Sequence, residues 1–293
     1  MAALTFSNRI TTLRDAIVNR NGVDSATRLA FIDNIRVLLT LLVVAHHAAQ
    51  SYGPVGGEWP VANATRAMML GPFFAVNAAF FMGLFFLISG YFLPRAYDRK
   101  GAGAFLKDRL LRLGIPLLVT AFVLFGPITY LEYAEQGQLG FWQFFLRVYV
   151  GEWRVEVAHL WFLAHLLFYA VCYTLWRQVG HHAPRANRAD AAAPGHLAIL
   201  MFALGLAIIT FIVRIWYPVN RWVQFLGIIP AEFAHVPQYL SLFVIGIAAY
   251  RHDWFRKLPA RTGMAWLWFG GLAAVARYAY TLAGQNLLPS ILA

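Results

Sequence analysis

Stretches of about 20 mostly apolar residues, the length a bilayer core requires, recur along the chain between short polar segments. They lie at Ile35–Tyr52, Met68–Leu93, Leu113–Leu131, Val157–Trp176, Leu197–Tyr217 and Thr262–Ala283. No backbone N–H or C=O can stay unpaired in lipid, so each run is expected to be helical. The stretch Trp222–Tyr250 is less regular, with Pro230 and Pro237 inside it. Its second half reads as the end of one further span that begins as a broken or re-entrant segment. The pattern predicts an all-α, polytopic transmembrane helical bundle of about seven spans. A polar tail over residues 1–30 precedes a membrane domain over residues 31–293.

Composition supports this reading and excludes others. Hydrophobic residues make up 60% of the chain and charged ones 13%, with a mean hydropathy of +0.58. Soluble domains carry roughly 25% charge, so a water-soluble fold of this size would expose large apolar patches. A single cysteine, Cys172, rules out a disulfide scaffold. Disorder and coiled coils do not fit either.

The formal net charge of +11 changes the picture only through its distribution. Most of the 24 Lys and Arg residues fall in four segments: the tail, residues 95–112, residues 177–188 and residues 251–261. Every second loop is therefore basic, which is the positive-inside pattern. It predicts a cytoplasmic N-terminus and a multi-pass protein of the cell (inner or plasma) membrane. Membrane lipids become partners by topology, and no nucleic acid is needed to explain the charge. The first 30 residues lack the apolar core of a signal peptide. Phe141–Val150 is expected at the outer interface, and His181–Pro194 reads as a flexible cytoplasmic loop.

Candidate chemistry sits where the membrane makes polar groups expensive. Arg36 and His47 are eleven residues apart, about 20° past three full helical turns, so they share a face about 16 Å apart along the axis. A guanidinium able to bind anions thus lies below an imidazole, the side chain type best suited to accept a proton in general-base chemistry. A snorkelling Arg36 and a hydrogen-bonded interhelical His47 explain the same spacing. Further along, Arg109 and Arg112 are helix neighbours able to grip phosphate, flanked by Arg95 and Lys100. Topology alone also asks for a basic loop there. Glu152, His159 and Trp161 open the fourth span from the outer side, a grouping that suits a sugar because aromatic faces stack on pyranose rings. An aromatic belt is the more ordinary explanation. No histidine spacing suggests a metal site, and no P-loop, GxGxxG or GxSxG occurs.

Four stretches, taken in order, resemble the membrane-bound acyltransferase-3 family, and within it the glucan biosynthesis protein C type. They are Phe31–Arg36 followed by His47 (an Arg–ten residues–His pattern), Phe85–Tyr91, Arg109–Pro116 and His159–Leu163. The resemblance implies an O-acyltransferase that moves acetyl or succinyl groups from cytoplasmic acyl-CoA to a hydroxyl of a glycan or lipid-linked sugar. Acyl-CoA is then a co-substrate, with no permanently bound cofactor. His47 becomes the essential histidine with Arg36 its companion, and Arg109 and Arg112 become contacts for the CoA phosphates. Members of the family usually have more spans than this chain has room for, so a short or C-terminally truncated member is expected. A transporter or flippase for an anionic substrate is the alternative, with Arg36, Arg214 and Arg277 lining a path past helices broken at Pro230 and Pro237.

Overall fold

The computed structural model describes residues 29–54, 63, 65–134, 137, 139–180, 191–219, 221–227 and 229–281. The expected tail, apart from its last two residues, lies outside them, as does most of the expected loop at 181–194. The chain forms two compact units, Met1–Ala48 and Ala49–Ala293.

The first unit is described through α1 (Ala30–Gln50), a regular helix with Asp33 in its first turn, where a carboxylate complements the positive end of the helix dipole. It starts five residues before the apolar run does, so Asp33 joins Arg36 within the helix. Ile32, Leu39 and His46 are buried at seven-residue intervals, while Val37, Leu38, Leu41 and Val44 are exposed. That exposed apolar face suits lipid and not water.

The second unit begins with α2 (Leu70–Lys100), whose 31 residues reach about 46 Å, well beyond a bilayer core of about 30 Å. Next comes α3 (Ala102–Ala134). The segment expected to be a basic loop is therefore helix on both sides of Gly101. Two π turns interrupt α3, at Leu110–Gly114 and Thr120–Phe125. Each precedes a proline. Pro116 cannot donate to the Arg112 carbonyl and its ring would crowd it. The wider turn adjusts by sending the Ile115 N–H five residues back to the Leu110 carbonyl. Before Pro127, the Gly126 N–H reaches Ala121 in the same way.

The aromatic segment forms α4 (Phe141–Phe144), which continues as a π turn over Phe145–Val150. It builds a local core of Phe144, Val148 and Tyr149 against Phe122, Tyr130 and Tyr133. The Tyr149 hydroxyl donates to the Ala121 carbonyl at 2.7 Å and accepts the Glu156 N–H at 3.1 Å. A 3-10 turn, Ala158–Leu160, leads into α5 (Trp161–Val179). Helix α6 (His196–Trp216) buries none of its residues.

Strands β1 (Trp222–Phe225) and β2 (Ile229–Glu232) form an antiparallel hairpin in which Trp222 pairs with Glu232 and Phe225 with Ile229. It is followed by α7 (Val236–His252), the short α8 (Trp254–Lys257) and α9 (Ala260–Ala279). The expected broken membrane helix at 222–250 is thus a hairpin and then a 17-residue helix. Pro230 lies in β2 opposite Gln224, tolerable in a ribbon whose strands are both edges. Pro237 sits in the first turn of α7, where its missing N–H is not needed. Among the described residues the fold is mostly helical, with this hairpin as the departure from all-α.

The main core joins Phe86 and Leu93 of α2, Phe105 of α3, Tyr169 and Tyr173 of α5, and Tyr239 and Phe243 of α7. Helices α2 and α7 pack most extensively, through two reciprocal glycines. A Cβ on Gly90 would collide with the Phe243 carbonyl, and one on Gly246 with the Leu87 carbonyl. Small residues let membrane helices approach backbone to backbone. Among the described residues, α1, α2, α3 and α6 are long and apolar enough to cross a membrane. Helix α7 is shorter, and α5 and α9 are diluted by polar and aromatic residues.

Candidate active site and its basic cluster

Because α1 is unbroken, Arg36 and His47 keep the relation that eleven α-helical steps impose. The Arg36 side chain is 56% exposed and lies 3.8 Å from Asp33 one turn earlier. Thr40 Oγ1 donates to the Arg36 carbonyl at 2.8 Å. At the other end of the helix, His46 is buried and His47 half-buried, their rings edge to face at 5.5 Å. A guanidinium loosely held by its own helix retains donors for an anion, since five N–H groups serve one distant carboxylate.

The phosphate-binding candidates lie around the α2–α3 junction, and their environments differ. Asp108 bridges Lys100 Nζ at 2.8 Å and Arg112 Nε at 3.0 Å. Arg112 is nevertheless 72% exposed along its side chain. Arg109 turns inward, its guanidinium 5.2 Å from the Phe105 ring centre. It borders a cavity of about 20 Å³ lined by Ser89, Leu93, Leu113, Leu166 and Phe243. Its Nε is buried and makes no hydrogen bond. The π turn that starts at Leu110 separates the two arginines, so they are not a matched pair on one face. Arg95 is exposed on the last turns of α2.

Glu152, His159 and Trp161 go to different surroundings. Glu152 pairs with Arg154 at 3.0 Å on the surface. His159 is exposed in the 3-10 turn. Trp161 packs against the main core, stacked on Tyr239 at 5.5 Å and edge-on to Trp222 at 5.7 Å. Among the described residues, no group of three or more His, Cys, Asp or Glu side chains could hold a metal ion.

One constellation was not singled out from sequence. Asp98 of α2 binds Arg177 of α5 and Arg251 of α7, each at 2.8 Å. The Tyr173 hydroxyl accepts from both arginines, at 3.0 and 3.1 Å. Arg177 also lies 4.9 Å from the Tyr97 ring centre, and its side chain is only 6% exposed. Read along the chain, Arg177 and Arg251 count as topology markers. The visible signal was Asp98, a single acid among Arg95, Arg99 and Lys100.

The model of the Acyl_transf_3 family, an acyltransferase domain, matches residues 29–292. "Glucans biosynthesis protein C" of Escherichia coli O1:K1 / APEC is 25% identical over 261 residues, covering 86% of this chain and 66% of that protein. Its namesake from strain K12 is 26% identical over 235 residues, covering 77% of this chain and 59% of that protein. The chain thus spans about three fifths to two thirds of the length of these relatives. No solved structure matches it. Matched over all its described helices, the chain belongs to the Acyl_transf_3 acyltransferase family.

Proposed function

We propose that this protein is an integral membrane O-acyltransferase. It moves an acyl group of acetyl or succinyl type from cytoplasmic acyl-CoA to a hydroxyl of a glycan or lipid-linked sugar. The observation that carries this reading is the family match over residues 29–292, within which Arg36 and His47 occupy one uninterrupted helix. The relatives' printed name, which speaks of glucans, favours a glucan as acceptor.

His47 acts as general base, taking the proton of the acceptor hydroxyl as the oxygen attacks the thioester carbon and CoA thiolate leaves. In the alternative order, His47 attacks the thioester first and an acyl-imidazole hands the group on. Arg36, about 16 Å away on the same helix face, holds negative charge of the acyl-CoA nearer the cytoplasmic end. Arg109 and Arg112, with Arg95 and Lys100, hold the CoA phosphates. Asp108 supports that role by keeping Lys100 and Arg112 together. Arg109 supports it through a donor that has no partner among the described residues. Acyl-CoA is a co-substrate and no cofactor is permanently bound. Topology follows the basic segments: the N-terminus is cytoplasmic, and α5, α7 and α9 complete seven crossings of the cell membrane with α1, α2, α3 and α6.

The transport alternative loses part of its support. Pro230 and Pro237 lie in a hairpin and at a helix start, so neither breaks a membrane helix. Arg277 is engaged by Thr281 at 2.9 Å. The test is transfer of a radiolabelled acyl group from acyl-CoA to a glucan by protein in liposomes. Transfer is expected. Uptake or flipping of an anion without transfer would replace this reading with transport. Label retained on protein that lacks acceptor selects the relay, and its absence selects direct attack.

A further inference from the structure

Helix α7 joins two polar clusters. At its C-terminal end Arg251 enters the Asp98 knot. About 24 Å away, at its start, three other side chains meet: Arg214 from the last turn of α6, Glu232 at the end of β2 and His235 just before α7. His235 Nδ1 lies 3.4 Å from Glu232 Oε2, and His235 Nε2 lies 3.3 Å from Arg214 Nη2. An arginine only donates and a carboxylate only accepts. The two partners therefore define a neutral imidazole with its proton on Nδ1 and its lone pair on Nε2 towards Arg214.

Both contacts are long for hydrogen bonds, so Arg214 is held loosely on that lone pair. The Glu232 and His235 side chains are 12% and 13% exposed, whereas Arg214 is exposed. An aromatic wall stands beside them. The Tyr239 ring lies 5.8 Å from His235, Trp161 stacks on Tyr239, and Trp222 meets Trp161 edge-on. Trp222 is directly across the hairpin from Glu232, on the same face of the ribbon, and is 48% exposed. The hairpin is anchored, because buried His165 donates through Nε2 to the Pro230 carbonyl at 3.0 Å.

An accessible indole face beside a carboxylate, an imidazole lone pair and a loosely held guanidinium is the set of groups that recognises a saccharide. The ring face covers the C–H side of a pyranose. The carboxylate and imidazole accept from its hydroxyls and the guanidinium donates to them. A tether that merely ties α6 to α7 would need neither the exposed indole nor the free side of Arg214.

We propose that Trp222, Glu232, His235 and Arg214 form a saccharide-binding site for the acceptor, with His235 Nε2 accepting from one sugar hydroxyl once Arg214 swings onto a neighbouring oxygen. This rests on the acceptor class given under Proposed function. These are binding and positioning residues; His47 keeps the proposed chemical step.

The test uses the full-length protein in detergent, with a glucose oligosaccharide as probe and tryptophan fluorescence as readout. Saturable quenching is expected for the wild type. It should disappear in Trp222→Ala and shift to at least tenfold higher saccharide concentration in Glu232→Gln and His235→Phe. The same variants in liposomes should show a tenfold or greater rise in acceptor KM, with the KM for acyl-CoA unchanged. Thermal melting of each variant shows that it is folded, and Trp222 is exposed enough to tolerate replacement. Wild-type quenching and acceptor KM in all three folded variants would overturn the site while leaving the acyltransferase reading intact. A wild type that neither binds saccharide nor transfers acyl groups to any glycan would overturn both.

Discussion

Asp98 shows what one residue does when two cations, the buried Arg177 and the half-buried Arg251, depend on it. With the carboxylate present, the guanidiniums of Arg177 and Arg251 share both of its oxygens and the Tyr173 hydroxyl. Asp98→Asn keeps the shape and removes the charge, leaving the buried Arg177 and the half-buried Arg251 side by side without their counter-charge. Breaking a fully buried pair costs about 3–5 kcal/mol, and because Asp98 and Arg251 both keep contact with water the loss here falls below that range. A clear loss of melting temperature in detergent is expected, whereas Arg95→Gln on the exposed side of the same helix should leave it unchanged. Arg109 and Arg112 separate in a second prediction. Arg109 is inside, with an unsatisfied Nε beside a cavity, and Arg112 is outside and already paired. If Arg109 grips phosphate with its fork, Arg109→Lys should raise the KM for acyl-CoA about tenfold, since Lys offers only a point charge. Arg112→Lys should change it much less.

At the scale of elements, the α2–α7 contact depends on having no side chain at Gly90 and Gly246. Gly90→Val and Gly246→Val force the two backbones apart, a clash that costs about 1–3 kcal/mol or more, read as lowered thermal stability. Gly103, in the first turn of α3, has nothing near its Cβ position. Gly103→Ala should be neutral or stabilise by up to about 1 kcal/mol through helix propensity. The apolar runs made α1, α2, α3 and α6 legible from sequence, because lipid demands long hydrophobic stretches. The ends of those helices were not legible. Hydropathy marks where the lipid stops, and α2 continues through Arg95, Arg99 and Lys100 well past that point. The hairpin was misread because a proline between apolar residues has the same signature in a broken helix and in an edge strand. On the candidate site, the Arg36–His47 relation depends only on local helical geometry and could be read from spacing. The inward turn of Arg109 depends on a π turn and on core packing, which spacing does not encode. The Asp98 knot joins residues 79 and 153 positions apart, and only the tertiary fold brings them together.

For the whole molecule, the net charge of +11 is an argument about sides. The two polar clusters at the ends of α7 belong to opposite faces of the membrane if that helix spans it. Arg251 lies within a basic segment, and Arg214 and His235 do not. Cysteines introduced singly at Lys257 and at Val219, in a Cys172→Ala background, should react with a membrane-impermeant reagent from opposite sides. Labelling of both from one side would contradict the seven-span topology. The proposed role of His47 in acyl transfer can be measured in His47→Ala protein reconstituted in liposomes with acyl-CoA and a glucan acceptor. Transfer should fall about 100-fold or more, as loss of a general base requires, while acyl-CoA still raises the melting temperature as it does for the wild type. Transfer by His47→Ala at near wild-type rate would contradict it.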